Sequence, residues 1–184
     1  MLPPVLVRRI AVVGSGGAGK TTLANTLGRK LNLPVIHLDE HYWRPGWVPT
    51  PREEWRTRQR ELVAAEKWII DGNYSSTLDL RLARADLVVV LAFARWRCLL
   101  GVVRRWTTNY GRGVQARGCP ERVSLEFLKW VWDYPTNGRK RLDAALAEYA
   151  QGAQVVELDG PSRVSRFLAS LDQLTESGPA LPVD

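Results

Sequence analysis

The chain has 184 residues, 45% of them hydrophobic and 24% charged, with a net charge of +7 and a pI near 9.8. These values suit one soluble globular domain with a single substantial core. Cys98 and Cys119, 21 positions apart with no CxxC spacing and no clustered histidine, indicate neither a disulfide framework nor a zinc site, and no apolar run approaches membrane-spanning length.

The positive balance comes from 21 arginines against 5 lysines. That excess suits planar, bidentate contact with phosphate or carboxylate, and is equally compatible with genomic base composition. Residues 1–9 place prolines and a short apolar patch ahead of arginines, the wrong order for a secretory signal, so a cytoplasmic protein is expected. Arg8 to Val13 is short, β-branched and continuously apolar, which predicts a strand covered on both faces.

Directly after that strand stands Gly14-Ser15-Gly16-Gly17-Ala18-Gly19-Lys20-Thr21, a full match to G-x-x-x-x-G-K-[ST]. Glycines let the backbone wrap a polyphosphate with its N–H groups inward, and the following helix presents its positive end to the same oxygens. Lys20 would reach the β- and γ-phosphates, and Thr21 would offer its hydroxyl to Mg²⁺. Leu23, Leu27 and Leu31 predict an amphipathic helix ending near Asn32. A nucleotide and Mg²⁺ are the expected ligands.

After Pro34, Val35 to Leu38 predicts a second strand ending at Asp39-Glu40. In an open parallel sheet, ligands collect at the carboxyl ends of the strands, which would bring Asp39 towards the phosphate loop as a base, a metal contact or a loop hydrogen-bond partner. His37 and His41 flank it and, without further ligands, read as structural. His41 to Pro51 is too rich in proline for a regular element and reads as a structured loop, whose Tyr42, Trp43 and Trp47 either stack on a substrate or form the loop's own small core. Thr50-Pro51-Arg52-Glu53 predicts a capped helix start, and Trp55, Gln59, Leu62, Val63 and Glu66 ride that helix.

Trp68-Ile69-Ile70-Asp71-Gly72 is a third strand closing on a carboxylate and a glycine, the pattern that holds Mg²⁺ partly through water after a phosphate loop. Ser75 to Arg84 predicts a short helix, and Asp86 to Phe93, the most apolar run, a central strand. Helices are expected from about Arg97 to Trp106, from Glu121 to Trp132, from Arg139 to Ala150 and around Val164 to Leu171, with a strand at Gln154 to Leu158. Residues 1–176 then form one domain without repeats or linkers, and 177–184 a flexible tail.

From Arg95 to Arg117 there are six arginines, Arg95, Arg97, Arg104, Arg105, Arg112 and Arg117, and no acidic residue. Such a stretch, about residues 104–122, suits a mobile lid that brings positive charge to transferring phosphates; a solvated helix face followed by a loose loop is the plainer reading.

The segments GSGGAGKTTLA, HLDEHYWRPGW, WIIDGNYSSTLDLR, RADLVVVLAF and EFLKWVW, in this order, resemble the bacterial DNA topology modulation proteins of the FlaR type, a branch of the adenylate-kinase-like P-loop proteins. The similarity runs from about Arg8 to Tyr134, and the LDxxYWxPGW and WIIDGNY segments are far more specific than the phosphate loop. It implies a five-stranded parallel sheet flanked by helices, in an α/β P-loop NTPase architecture of the nucleoside/nucleotide-kinase kind. By the same resemblance Gly14 to Thr22, including Gly16, Gly17, Ala18 and Gly19, hold phosphate and Asp71 serves the metal. Arg104 or Arg105 corresponds to the arginine that covers the nucleotide, and Asp39 is similar in placement to the carboxylate that accepts a substrate hydroxyl's proton in uridine-kinase-like enzymes. Asp71-Gly72-Asn73-Tyr74 departs from the DGFPR of adenylate kinase, which weakens the case for a nucleoside monophosphate acceptor.

Two functions fit. The first is a kinase moving the γ-phosphoryl of ATP to a small molecule bound between the Asp39 loop and Asn73-Tyr74, with Lys20, Arg104, Arg105 and Arg112 stabilising the migrating group. The second is a nucleotide-dependent regulator that binds DNA or RNA. It has the basic pI in its favour but no helix-turn-helix, zinc-finger or RNA-binding signature, so the kinase is preferred. No membrane partner is expected.

Overall fold

The computed structural model describes residues 7–110, 116–120 and 123–176. Five strands make one parallel sheet: β1 (Arg9–Gly14), β2 (Val35–His37), β5 (Trp68–Asp71), β6 (Leu87–Leu91) and β7 (Gln154–Leu158), in the order β2-β5-β1-β6-β7. The order places β1 at the centre, with chain crossings leading to either side of it, so its carboxyl end lies where the connections diverge and ligands collect. The fold is an α/β P-loop NTPase fold of the kinase-like kind.

Alternation along β1 builds the two halves of the core. Ile10 and Val12 face a layer that includes Leu23 and Leu27 of α1 (Lys20–Leu31), Cys98 and Val102 of α5 (Arg95–Asn109), Val131 of α6 (Leu125–Asp133) and Phe167 of α8 (Pro161–Glu176). Ala11 and Val13 face Trp55 and Val63 of α3 (Arg52–Ala64), Leu78 and Leu82 of α4 (Leu78–Leu82) and Leu142 of α7 (Gly138–Tyr149). A strand covered on both faces must be apolar at every position, and residues 10–13 are all fully buried. Among the described residues, no helix is long and apolar enough to cross a membrane.

The main departure from the sequence reading lies between residues 38 and 51. The expected loop contains a short helix, α2 (Leu38–Tyr42), and an antiparallel hairpin of β3 (Trp43–Arg44) and β4 (Val48–Pro49). Gly46 and Trp47 both have positive φ at its tip, and that turn lets a proline-rich stretch fold back on itself. Thr50 is drawn into this hairpin: its hydroxyl donates to the Tyr42 carbonyl at 2.6 Å, and α3 starts at Arg52 with no side-chain cap. The predicted capping box therefore does not form. The helix expected from Glu121 begins at Leu125, where the Ser124 hydroxyl accepts from the Phe127 amide at 3.1 Å.

Candidate active site

The phosphate loop leaves β1 at Gly14 and enters α1 at Lys20. It is pressed from one side by α5 and α6: a Cβ on Gly17 would lie 2.1 Å from the Cys98 carbonyl oxygen, and Phe127, Val131 and Trp130 crowd Gly16. Gly19 by contrast has φ 87 and open space around it, and Thr21 and Thr22 are exposed, so the helix N-terminus faces outward into the site. Ser15 is buried beside the Cys98 thiol, and Ala18 closes the loop's internal turn by donating from its amide to the Ser15 carbonyl.

Lys20 folds back over the loop, its Nζ donating to the Ser15 carbonyl at 3.0 Å. Burial lowers its pKa, with the Arg105 charge acting in the same direction and the carboxylates of Asp71 and Asp39 opposing. The Lys20 ammonium senses one carboxylate at the end of β5, one on α2 and one guanidinium on α5. Arg105 is thus the arginine of the pair whose charge reaches the loop lysine. Arg104 is exposed, and its carbonyl accepts the hydroxyls of Thr107 and Thr108. Arg112 lies outside the described residues.

Asp71 ends β5, directly opposite His37 in the parallel register. His37 Nδ1 donates to Asp71 Oδ2 at 2.7 Å and its Nε2 lies 3.1 Å from Asn25 Oδ1 on α1. The hydrogen bond to Asp71 outweighs burial and raises the His37 pKa. This pairing leaves the second Asp71 oxygen for another partner. Among the described residues no three His, Cys, Asp or Glu side chains gather into a metal cage. A lone carboxylate and a threonine hydroxyl at a phosphate loop are nevertheless a donor set that fits Mg²⁺, which takes few protein ligands and completes its shell with phosphate and water.

The turn after β5 serves two directions. Asn73 Oδ1 accepts the Gly14 amide at 2.9 Å, holding the first residue of the phosphate loop. Tyr74, at φ 31, donates its phenol hydroxyl to Asp39 Oδ1. Burial, and then the Asp39 charge, push the phenol's pKa far up, so it stays a donor. Its ring packs 4.6 Å from Tyr42 and 5.0 Å from Trp55, while Trp43 meets Tyr42 at 4.8 Å and Trp47 at 5.4 Å. The aromatic residues at the hairpin thus pack on Trp55 and Tyr74 at the edge of the main core, with Trp43 and Trp47 at the outer end. Trp47 Nε1 donates to the Pro120 carbonyl at 2.9 Å and Gly46 N to Gly118 O at 2.9 Å, joining the hairpin to the described end of the arginine-rich stretch.

Sequence reading overlooked Arg81. It is fully buried on α4 and donates to the carbonyls of Gly72 at 3.2 Å and Asn73 at 2.6 Å. An arginine in a short helix, amid a chain rich in arginine, carries no local signal of burial.

The sheet order and the loop together define an α/β fold of the P-loop, kinase-like kind. No protein-family model and no curated protein matches the chain. Among solved structures it is similar to shikimate kinase from Acinetobacter baumannii in complex with shikimate, at 19% identity and TM-score 0.53 over 93% of this chain and 94% of that one. Shikimate kinase from Bacteroides thetaiotaomicron is similar at 19% identity and TM-score 0.51, covering 92% of this chain and 99% of that one. Deoxyadenosine kinase from M. mycoides, with dCMP and dCDP bound, is similar at 13% identity and TM-score 0.52, covering 90% and 99%. At these identities the likeness is one of fold.

Proposed function

We propose that the chain is a Mg·ATP-dependent phosphotransferase that moves the γ-phosphoryl group to a small molecule held beside Asp39. The observation that carries this reading is the turn after β5, where Asn73 Oδ1 takes the Gly14 amide of the phosphate loop and the next residue, Tyr74, holds Asp39, so donor phosphates and a carboxylate suited to a proton-accepting role would share one cleft. The kinase folds it resembles are consistent with that reading.

In this reading the amides of Gly14 to Thr22 and the Lys20 ammonium hold the phosphates, and Thr21 with Asp71 would hold Mg²⁺, in part through water. The ion, when bound, neutralises phosphate charge. A substrate hydroxyl approaches the Asp39 oxygen that Tyr74 leaves uncovered. The bond from the γ-phosphorus to the departing ADP breaks, a bond to the acceptor oxygen forms, and the hydroxyl proton passes to Asp39. Arg105 meets the charge that develops on the moving group, with Arg104 and Arg112 as further members of an arginine-rich cover over about 104–122. Tyr42, Trp43, Trp47, Asn73 and Tyr74 would frame the acceptor. The likeness to FlaR-type DNA topology modulation proteins, a single domain through residue 176 and a cytoplasmic site of action belong to the same proposal; the tail expected at 177–184 lies outside the described residues.

The test is ADP release from Mg·ATP by purified protein across nucleosides, sugars, small alcohols and shikimate-like hydroxy acids, with duplex DNA as one member and Lys20→Ala as control. Stimulation by one small molecule that disappears in Lys20→Ala supports the kinase. Tight ATP binding with stimulation by DNA alone would move the assignment to a nucleic-acid regulator, which the exposed Arg97 and Arg104 of α5 would serve.

A further inference from the structure

A fully buried cation ordinarily keeps its charge by pairing with a carboxylate. Arg81 is 0% exposed, and its side-chain hydrogen bonds run to neutral oxygens: Gln59 Oε1 at 2.8 Å, Thr77 Oγ1 at 3.3 Å, and the carbonyls of Gly72 at 3.2 Å and Asn73 at 2.6 Å. Its Nε has no partner among the described residues. Burial lowers its pKa to about 10, which still leaves it charged at neutral pH. The charges of Asp79 and Asp71 favour its protonated form without hydrogen-bonding it. A charge held at this depth by neutral oxygens is costly, and what it gathers is one turn of the backbone.

That turn joins the two halves of the site. Its Asn73 side chain accepts the Gly14 amide at 2.9 Å and its Tyr74 hydroxyl holds Asp39. The third carbonyl of the turn, that of Tyr74, is taken by Thr77, through its amide at 3.0 Å and its hydroxyl at 3.2 Å. Thr77 is itself an Arg81 partner. Tyr74 sits at φ 31, a backbone conformation that a residue with a side chain keeps only when its surroundings over-determine it. A guanidinium is well matched to such a turn because its planar fork donates in several fixed directions at once, whereas an ammonium is a point charge on a flexible stem.

We propose that Arg81 is a positioning residue, whose guanidinium sets the Gly72–Tyr74 turn so that the phosphate loop and the Asp39 carboxylate are held in one fixed relation. The catalytic consequence rests on the phosphotransfer reading; the structural half stands apart from it. Misplacement by an ångström is enough to cost a transfer reaction about a hundredfold, so a bracket of this kind acts on turnover without touching substrate.

The experiment compares wild type with Arg81→Lys by amide hydrogen exchange in NMR, by titration with a fluorescent ATP analogue, and by ATP turnover. Lysine keeps the charge and loses the fork. The expected result is that the Gly14 amide exchanges at least about tenfold faster while the amides of Val89 and Val156 keep their protection. Nucleotide affinity is expected to fall several-fold and kcat by about a hundredfold. Should Arg81→Lys fail to fold, Gln59→Met removes one Arg81 partner while keeping an unbranched side chain of similar length, and is expected to shift the same three readouts in the same directions, by less. A folded variant with Gly14 protection unchanged overturns the bracket. Lost protection with affinity and turnover both intact overturns the positioning role and leaves Arg81 as packing. A wild-type protein that takes up no nucleotide sinks the phosphotransfer reading alone, and the Gly14 protection ratio then decides the bracket by itself.

Discussion

Gly17 of the phosphate loop and Gly101 of α5 are in backbone contact: a Cβ on Gly101 would stand 2.1 Å from the Gly17 carbonyl oxygen. Helix α5 carries Arg105 one turn further on, so this contact sets how the arginine meets the loop. Gly101→Ala improves local helix propensity by about 1 kcal/mol, yet it must push loop or helix aside. We expect net destabilisation of about 1–3 kcal/mol, read by chemical denaturation, together with weaker nucleotide binding. A variant more stable than wild type would show that the close approach is not maintained in solution.

Lys20→Ala should leave the fold intact, because burial already disfavours the charged form that the substitution removes. Triphosphate affinity should drop by about 2 kcal/mol, roughly thirtyfold, as expected for loss of a charge-assisted hydrogen bond. Calorimetric titration with ATP tests it, and an unchanged affinity would overturn the assignment of the loop.

Removing the Tyr74 hydroxyl leaves Asp39 Oδ1 without the donor that now holds it. For Tyr74→Phe we expect kcat to fall about tenfold with nucleotide affinity unchanged, and for Asp39→Asn a fall of about a hundredfold or more. Equal turnover in Asp39→Asn, measured against the acceptor found by the panel, would remove that carboxylate from the mechanism.

Asp86 ties the start of β6 to β1. Its Oδ2 accepts the amides of Arg8 at 3.0 Å and Arg9 at 2.8 Å, and its Oδ1 accepts Arg9 Nη2 at 2.8 Å. Burial raises the carboxyl pKa, but the Arg9 hydrogen bond and the two amides outweigh it, and the net shift is downward from 3.8. A depressed folded-state pKa contributes stability that is present above the unfolded value and lost as pH falls through the folded one. Asp86→Asn should therefore cost about 2 kcal/mol near neutral pH, and the gap to wild type should close below about pH 3.8. Unfolding curves from pH 2 to 7 provide the check; a gap independent of pH would mean that the carboxylate's charge is not what binds the strands.

Regular elements were legible wherever a period or a capping signal was uninterrupted. The run Ile10 to Val13, the phosphate loop, α1 with its stop at Asn32, and the strand ending at Asp71 follow from patterns only a few residues long, because each is set by local sterics and two-sided burial. The hairpin of β3 and β4 was not legible. Its strands are two residues each, too short for any period, and its turn depends on positive φ at Gly46 and Trp47. The Thr50 cap failed for a related reason: Thr50 is held in the hairpin, its hydroxyl and amide donating to the Tyr42 carbonyl eight residues back, and the helix starts one residue later with Pro51 at its N-cap position.

The sequence by itself determined the phosphate loop and the strand–loop–helix context that makes it one, since glycine conformation, helix polarity and a lysine at fixed spacing are properties of adjacent residues. Only the tertiary structure decided what stands around that loop. It paired Asp71 with His37 across neighbouring strands, gave Asp39 to Tyr74, left Arg104 exposed on α5, and drew Arg81 inside to hold a turn. Each of these placements is fixed by sheet register and helix rotation, and neither quantity is written in the local composition of the residues concerned.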